Sequence, residues 1–342
     1  MSHQFAIFVD GEPLTALGYW GSPTLTDRWP YGSWELAWEA AYPVTFRHPA
    51  LRKGAEVVAQ VGPSRRWLGR LTELDWDEGS FVAEGAIREG ETALAKGVNG
   101  RGSTDIDEVL EQARLRGAIT WATLEEFGSL TTDAVSEETN SVLSLLDAYA
   151  AEEGVNLAVS VDGLLYTAPD ATEPKWMVTP GAGQLGQADE DYWTSLTAVY
   201  SPAPGSYDTV TATTAPTSGV LARESAIDLT GRGYLAEAKA QQIVDRLLAK
   251  GRVRNSWANP ITVSYGQLLS MGGTPVGLSV PRAGDMFHLA GLRDERGASA
   301  STDVIAEELV WDVAEGTLQI KPEGLAARDL ASIVETIGGV LL

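Results

Sequence analysis

Two short stretches of this sequence occur twice, in the same order. "LRKGAEVV" (Leu51–Val58) and "VPRAGDMF" (Val280–Phe287) share an arginine, one further residue, a glycine and a strand-like run. "LDWDEGSFVA" (Leu74–Ala83) and "LVWDVAEGTLQI" (Leu309–Ile320) share Leu, any residue, Trp and Asp, followed by Glu-Gly and a hydroxyl residue. Each shared residue has a use in a hairpin. The pattern favours two copies of one small β-structure.

The turns of these hairpins carry the most specific expectation. Gly79 and Gly316 stand where a tight turn needs a positive φ, which glycine adopts without strain. Trp76 and Trp311 are predicted to lie in the strand before the turn, where a bulky ring covers one face of a barrel.

The apolar residues of the first hairpin change phase within one strand. Trp67 and Leu71 fall on one face and Leu74 and Trp76 on the other, a slip that a β-bulge produces. A bulged strand is curved, and curved strands are typical of barrels.

Between the two copies the apolar period becomes helical. One helix follows Thr104 and Asp107, which stand in capping-box positions, and ends at Gly117. Its apolar stripe is Ile106, Val109, Leu110 and Ala113.

A second helix ends at Gly154, and a hairpin with Asp162 and Gly163 at its turn follows. Its stripe is Val142, Leu145, Leu146, Tyr149 and Ala150. Further on, strands at 192–200 and 207–214 precede a long helix over 234–250, and a last helix carries Leu330, Ile333, Val334 and Ile337.

These patterns predict a mainly β, α+β chain with two similar small β-barrels and an inserted α/β domain. The expected domains are a first barrel over 1–90, the inserted α/β domain over 91–190, and a second barrel with a long helix and a C-terminal helix over 191–342.

The strongest candidate for an enzyme site lies in the first hairpin. Asp75, Asp77 and Glu78 could serve as paired carboxylates, with Trp67 and Trp76 as platforms for a sugar. Glycosidases, however, hold two carboxyls with separated pKa values across a cleft. Asp75 and Asp77 are neighbours beside one turn and are expected to share a solvated face, which argues against catalysis there.

No other pattern predicts chemistry, so no catalytic, cofactor or metal residue is assigned. His3, His48 and His288 have no metal-ligand partner at helical spacing, and the chain has no cysteine. Asp105, Asp107 and Glu108 lack the remaining residues of a calcium loop and fit the first turn of a helix. The acidic run Asp189–Asp191 is expected to be a solvated loop, and "GVNGRGST" (97–104) lacks the ending of a phosphate-binding loop.

Tryptophans crowd the start of the chain. Packing in the core explains each one singly, whereas the cluster as a whole favours a protein interface, with glycan binding as a further alternative. The members are Trp20, Trp29, Trp34 and Trp38.

The net charge of the chain limits the classes of partner that it is expected to bind. The formal net charge is −22, and from Gly117 to Ala222 the one basic residue, Lys175, stands against fifteen acidic residues. Such a surface repels nucleic acid and anionic membranes, which argues against sequence-specific DNA binding but suits a channel through which DNA slides. No signal peptide or membrane anchor is expected from the sequence.

With these features the chain resembles the hub, or tail-associated, minor tail proteins of long-tailed bacteriophages, most of all those of phages that infect actinobacteria. The likeness is carried by "GRLTELDWDEGSFVAEG", "SVLSLLDAYAAEEGVNLAVSVDGLLY", "YLAEAKAQQIVDRLLAKG", "GTPVGLSVPRAGDMFHLAGL" and "IAEELVWDVAEGTLQIKPEG".

The resemblance implies a structural, non-enzymatic protein of the virion tail tip, assembled in the bacterial cytoplasm. It implies a homotrimer whose six barrels continue the sixfold tail tube. The implied partners are a distal tail or tube ring, the tape measure protein, and other tip or fibre proteins, with genome DNA in non-specific transit. Two alternatives stay open at this stage: a hexameric distal tail protein, and a carbohydrate-active enzyme or glycan-binding protein.

Overall fold

A computed structural model describes residues 5–15, 21–40, 47–130, 140–179, 186–187, 193–215, 222–230, 234–251, 255–256, 260–293 and 299–322. The predicted last helix, Asp189–Asp191, His3 and Trp20 lie outside these residues. None of the helices in the described ranges has the length and apolarity needed to span a bilayer.

Seven strands make up the first part of the chain: β1 (Phe5–Val9), β2 (Glu12–Pro13), β3 (Thr24–Arg28), β4 (Tyr31–Glu39), β5 (Glu56–Val61), β6 (Ser64–Asp75) and β7 (Ser80–Gly85). After a 3-10 turn (Ala86–Arg88), the middle holds α1 (Glu89–Thr92), α2 (Ile106–Leu115), β8 (Ala122–Thr123), α3 (Val142–Glu153), β9 (Asn156–Val159) and β10 (Leu164–Ala168). The remaining elements are β11 (Trp176–Val178), β12 (Gly186–Gln187), β13 (Ser195–Ala203), β14 (Ser206–Thr213), β15 (Glu224–Asp228), α4 (Glu237–Gly251), β16 (Asn255–Ser256), β17 (Ile261–Ser264), β18 (Leu268–Ser270), β19 (Met286–Arg293), β20 (Ser299–Asp312) and β21 (Thr317–Pro322).

The predicted repeat is present as two similar groups of strands, which we call halves, within one 16-stranded sheet that also contains β8, β9 and β10 of the α/β segment. In the first half, β1–β7, the neighbours run β5-β6-β7-β4, and in the second half, β11 with β17–β21, they run β19-β20-β21-β17. All of these pairs are antiparallel. Strand β3 joins the halves because it pairs with β4 on one side and β20 on the other.

The two halves agree in detail. Gly54 N–H donates to the carbonyl of Leu71, and Gly284 N–H donates to that of Ala306, at 2.8 Å in both cases. Both glycines have a positive φ, 80° and 89°. Leu71 therefore corresponds to Ala306 in the second half.

The bulge predicted in the first hairpin is present, between Leu71 and Glu73, and its counterpart lies between Ala306 and Glu308. The same irregularity at the same place in both halves supports a common origin for them. Because each bulge turns the strand, it also curves the sheet around its core.

The turns correspond as well, with one difference. Gly79 and Gly316 have the predicted positive φ, 72° and 62°. Asp75 Oδ1 accepts from Glu78 N–H in the first turn, and Asp312 Oδ1 accepts from Glu315 N–H in the second. Asp75 is four residues beyond Leu71 and Asp312 is six beyond Ala306. The second hairpin is therefore two residues longer on each strand.

This difference corrects the expectation for Trp76. Strand β6 ends at Asp75, so Trp76 lies in the turn, whereas Trp311 lies in β20 opposite Leu318. The physical reason is that Asp75, not Asp77, caps the turn. Alignment of the two Leu-x-Trp-Asp motifs pairs Asp77 with Asp312. The residue that caps the first turn, as Asp312 caps the second, is Asp75, two positions earlier.

Buried apolar residues form three cores. The first is shared by both halves, from Ile7 to Ala83 and from Val178 and Ile261 to Ile320. The second fills the α/β segment from Ala86 to Leu165, and the third lies between α4 and the sheet of β13, β14 and β15, from Trp193 to Leu248. The domain boundaries at 90 and 190 stay a prediction.

The helices follow their predicted apolar stripes, with one corrected cap. Helix α3 ends on Gly154 in the left-handed conformation, as expected. The N-cap of α2 is Asp105, whose side chain accepts from Glu108 N–H, and not the predicted pair Thr104 and Asp107. The cap lies one residue later because Asp107 binds the loop at Phe127 and Gly128 instead.

Candidate functional site

The carboxylates of the first hairpin hold its turn together. Asp75 Oδ1 accepts from the N–H groups of Asp77 and Glu78, each at 3.0 Å. All three side chains are exposed. They share one solvated turn, as predicted, and do not face each other across a cleft.

The two tryptophans of the same stretch have separate packing roles. Trp67 is fully buried in the shared core and leaves no ring face for a sugar. Trp76 packs edge-on against Phe81 with centroids 5.5 Å apart, and the guanidinium of Arg47 lies over its ring. The stretch therefore does not form the aromatic platform that the sugar-cleaving alternative requires.

The acidic residues of α2 hold neighbouring loops. Asp105 caps the helix, and Asp107 accepts from the N–H groups of Phe127 and Gly128. Glu108 accepts from Val98 N–H and Ser103 Oγ, and the bond from Val98 is the main reason why its pKa is lowered. Across the described ranges, no cluster of three or more His, Asp or Glu side chains could hold a metal ion.

The described histidines make local contacts. His288 Nδ1 lies 2.7 Å from Asp303 Oδ1, its cross-strand neighbour in β20. His48 Nδ1 accepts from Ala50 N–H at 3.2 Å. Both contacts are local, the first between neighbouring strands and the second within a loop.

Three of the clustered tryptophans make contacts within the chain. Trp38 is buried and stacks on Phe81 at 5.5 Å. The ring of Trp34 has two guanidinium groups, those of Arg28 and Arg88, each 4.9 Å from its centroid. The ring of Trp29 covers Gly284 of the second half, so closely that a Cβ there would lie 2.4 Å from it.

The contact between the two halves also contains a buried ion pair. Arg66 Nη1 on β6 lies 2.5 Å from Asp27 Oδ2 on β3, and both side chains are almost fully buried. Arg66 Nη2 donates to the carbonyl of Pro281 in the second half at 3.2 Å. One side chain of the first half thus binds both the bridging strand and the second half.

A second polar group, around Asp285 of the second half, lies near this ion pair. Asp285, 7% exposed, accepts from Lys175 Nζ, Trp176 Nε1 and Arg282 N–H at 2.6, 2.8 and 2.9 Å. Burial, together with the nearby Arg66 guanidinium, lowers the pKa of Arg282 to about 10, so it stays charged at neutral pH. Asp27, Arg66, Arg282 and Asp285 form what we call the junction cluster.

The α/β segment meets the first half at a partly buried carboxyl. Tyr31 Oη donates to Asp147 Oδ1 at 3.2 Å, which joins β4 to α3. Burial raises the pKa of Asp147 to about 6 and is also the main reason why the pKa of Tyr31 is raised.

We expect Asp147→Asn to stabilise the protein at neutral pH but not in acid. The folded-state pKa lies above the usual value near 4, so the folded protein loses stability as the pH rises from about 4 to about 6 and Asp147 becomes charged. Asparagine keeps an acceptor for Tyr31 without the charge. Urea unfolding should show a gain of about 1–2 kcal/mol at pH 7 and almost none at pH 4.

The matched control for this variant is Glu126→Gln, which neutralises an exposed carboxylate of the same segment. At pH 7 it should change the free energy of unfolding by less than about 0.5 kcal/mol, because the side chain is exposed. An equal gain from Asp147→Asn at pH 4 and pH 7 would contradict a raised pKa as its cause.

No protein-family model matches the sequence. No curated protein matches it either.

Solved structures do match, over almost the whole chain. A tail protein from Neisseria meningitidis MC58 superposes with a TM-score of 0.60 and 12% identity, covering 93% of this chain and 95% of that one. The 43 kDa tail protein of prophage MuSo2 from Shewanella oneidensis superposes with a TM-score of 0.57 and 14% identity, covering 96% and 98%. At these identities the likeness concerns the fold alone, and it confirms the predicted mainly β, α+β fold class, which this chain shares with the two tail proteins.

Proposed function

We propose that this protein is a structural component of a bacteriophage tail tip, a homotrimeric hub ring that continues the tail tube. The observation that carries the proposal is the duplicated sheet, in which turn, bulge and hairpin recur within one chain. A closed ring of three such chains presents six equivalent sheet halves, so it can stack on a sixfold ring. The whole-chain likeness to the two tail proteins supports the same role.

The partners follow from this position in the virion of a long-tailed phage, of the kind that infects actinobacteria. A distal tail or tube ring would contact one face of the hub, and other tip or fibre proteins the opposite face. The tape measure protein would occupy the lumen until DNA passes through it, and assembly would take place in the host cytoplasm. The net charge of −22 supports the passage of DNA through the lumen, because an acidic surface repels the DNA backbone.

The contacts of the candidate catalytic residues support a role without catalysis. Asp75 caps a turn and Trp67 is buried in the shared core. A buried side chain and a turn cap explain these residues without a substrate.

Size-exclusion chromatography with light scattering, followed by electron microscopy of the purified protein and of virions, tests the proposal. We expect a trimer that forms rings, and labelled protein at the tail tip. A hexamer would favour a distal tail protein instead, although that class supplies one barrel per chain. A stable monomer that is absent from tails would overturn the proposal.

A further inference from the structure

A groove of about 490 Å³ lies between α2 and β8 in the α/β segment. This volume is within the range of about 300–1,000 Å³ that is usual for ligand sites. One wall is a single face of α2, because its lining residues recur at helical spacing, and the other wall is β8 with the residue before it. The wall residues are Asp107, Leu110, Glu111 and Arg114 of α2, and Trp121, Ala122 and Thr123 at β8.

Strand β8 has an open edge on the side away from β10. Ala122 N–H donates to the carbonyl of Gly163 and Leu124 N–H donates to that of Leu165, each at 2.9 Å, so these groups face β10. Successive residues of a strand direct their N–H and C=O groups to opposite edges, so those of Thr123 point away from β10. Within the described residues, no strand pairs with β8 on that side. An open edge of this kind is a template for a further strand.

The groove follows this edge and not one face of the sheet. Ala122 and Thr123 are successive residues of a strand, so their side chains point to opposite faces, yet both line the groove. A strand added to β8 would therefore lie in the groove, with α2 beside it. Addition of a strand to a sheet edge is a recurrent way in which proteins recognise extended peptides.

The charge of the groove is negative, because four carboxylates line it against one guanidinium. Asp105 and Asp107 accept from backbone N–H groups, as described above. Glu111 and Glu126 are exposed, and neither forms an ion pair with another described residue. These two carboxylates are available to a cationic group of an occupant.

We propose that this groove binds an extended segment of a partner protein that carries lysine or arginine. The segment adds a strand to β8 at Thr123 and places its cations against Glu111 and Glu126. A basic occupant fits because its charge is complementary to that of the groove. The stretch 131–139 of this chain carries three carboxylates and no basic residue, so its own charge is unfavourable there. The groove lies within the α/β segment, so this binding goes beyond the hub role and does not depend on the ring.

Fluorescence anisotropy with a labelled peptide, in which lysine alternates with threonine and valine, measures this binding. We expect the counterpart with glutamate in place of lysine to bind at least about tenfold more weakly. Reversal of both available carboxylates, Glu111→Lys with Glu126→Lys, should weaken binding of the basic peptide by about tenfold or more. If the basic peptide binds the unaltered protein no more tightly than the acidic one, the inference is wrong.

The matched control is Asp77→Lys with Glu78→Lys, which changes the net charge equally at the exposed turn of the first hairpin. Because these residues do not line the groove, we expect the affinity for the basic peptide to stay within about twofold. An equal loss from both double variants would show a general attraction to an acidic protein, and the groove would not be the site.

Thr123→Pro tests the added strand, with Thr123→Val as its control. Proline removes the outward N–H and leaves the donors that bind β10 in place. We expect proline to weaken binding about tenfold and valine to change it less than about twofold. Amide exchange at Thr123 should slow when the peptide binds the unaltered protein, and circular dichroism checks that both variants are folded. Equal affinities of the proline and valine variants would contradict strand addition.

Replacement of 131–139 by glycine and serine separates the remaining occupants. If the basic peptide binds only after this replacement, the stretch itself occupies the groove and the inference is wrong. If the peptide dissociates an oligomer of the protein, a second copy occupies the groove and the inference is also wrong.

Discussion

Arg66→Met is expected to lower the free energy of unfolding by about 3–5 kcal/mol, because it leaves the carboxylate of Asp27 buried without its partner. Arg66 Nη1 lies 2.5 Å from Asp27 Oδ2, and both side chains are shielded from water. The same guanidinium also binds the carbonyl of Pro281 in the second half. Denaturant titration followed by tryptophan fluorescence measures the loss as a lower unfolding midpoint.

Two variants separate this effect from the mere loss of a charge. Arg65→Met removes the preceding arginine of the same strand, which pairs at 4.0 Å with the exposed Asp162, so we expect a loss of less than about 0.5 kcal/mol. Combining Arg66→Met with Asp27→Leu removes both charges and should recover a large part of the stability. A loss from Arg66→Met no larger than that from Arg65→Met would contradict the structural role of the pair.

Gly284→Ala is expected to cost about 2–5 kcal/mol of unfolding free energy, more than the same change at the equivalent Gly54. Both glycines have a positive φ, so an alanine at either position carries about 1–2 kcal/mol of backbone strain. At Gly284 the new Cβ would also lie 2.4 Å from the ring of Trp29, and such overpacking costs about 1–3 kcal/mol more. Thermal and urea unfolding of the two variants give the comparison directly.

A double-mutant cycle assigns the difference to the ring. In a Trp29→Ala background, Gly284→Ala should cost no more than Gly54→Ala does in the unaltered protein. Equal costs for the two glycine variants in the unaltered protein would show that Trp29 yields without penalty and that it does not lock the halves together.

Local patterns were sufficient to predict most of the elements. The stripes of α2 and α3, the turns at Gly79 and Gly316 and the bulge near Leu71 are confirmed, because each depends on residues that are close in sequence. The cap of α2 was misplaced by one residue because Thr104 and Asp105 are both capable caps. The choice between them depended on a loop more than twenty residues away.

Contacts between the halves could not be predicted in this way. Asp27 and Arg66 belong to no motif, and the pairing of β3 with β20 joins residues almost three hundred positions apart. The sequence showed the repeated glycines, Gly54 and Gly284. It did not show that the ring of Trp29 covers Gly284, whereas the space beside Gly54 is open. A repeated motif predicts a repeated backbone, but the side chains that approach it from other strands depend on the assembled sheet.

The unequal hairpins carry a consequence for the outer shape of an assembly. The hairpin of β20 and β21 is two residues longer on each strand than that of β6 and β7, so it projects about 7 Å further. In a ring of three chains, the longer hairpins of β20 and β21 would alternate with the shorter hairpins of β6 and β7 around one rim. A partner that contacts the shared sheet would meet six nearly identical positions. A partner that contacts the hairpin tips would meet only three of the longer kind.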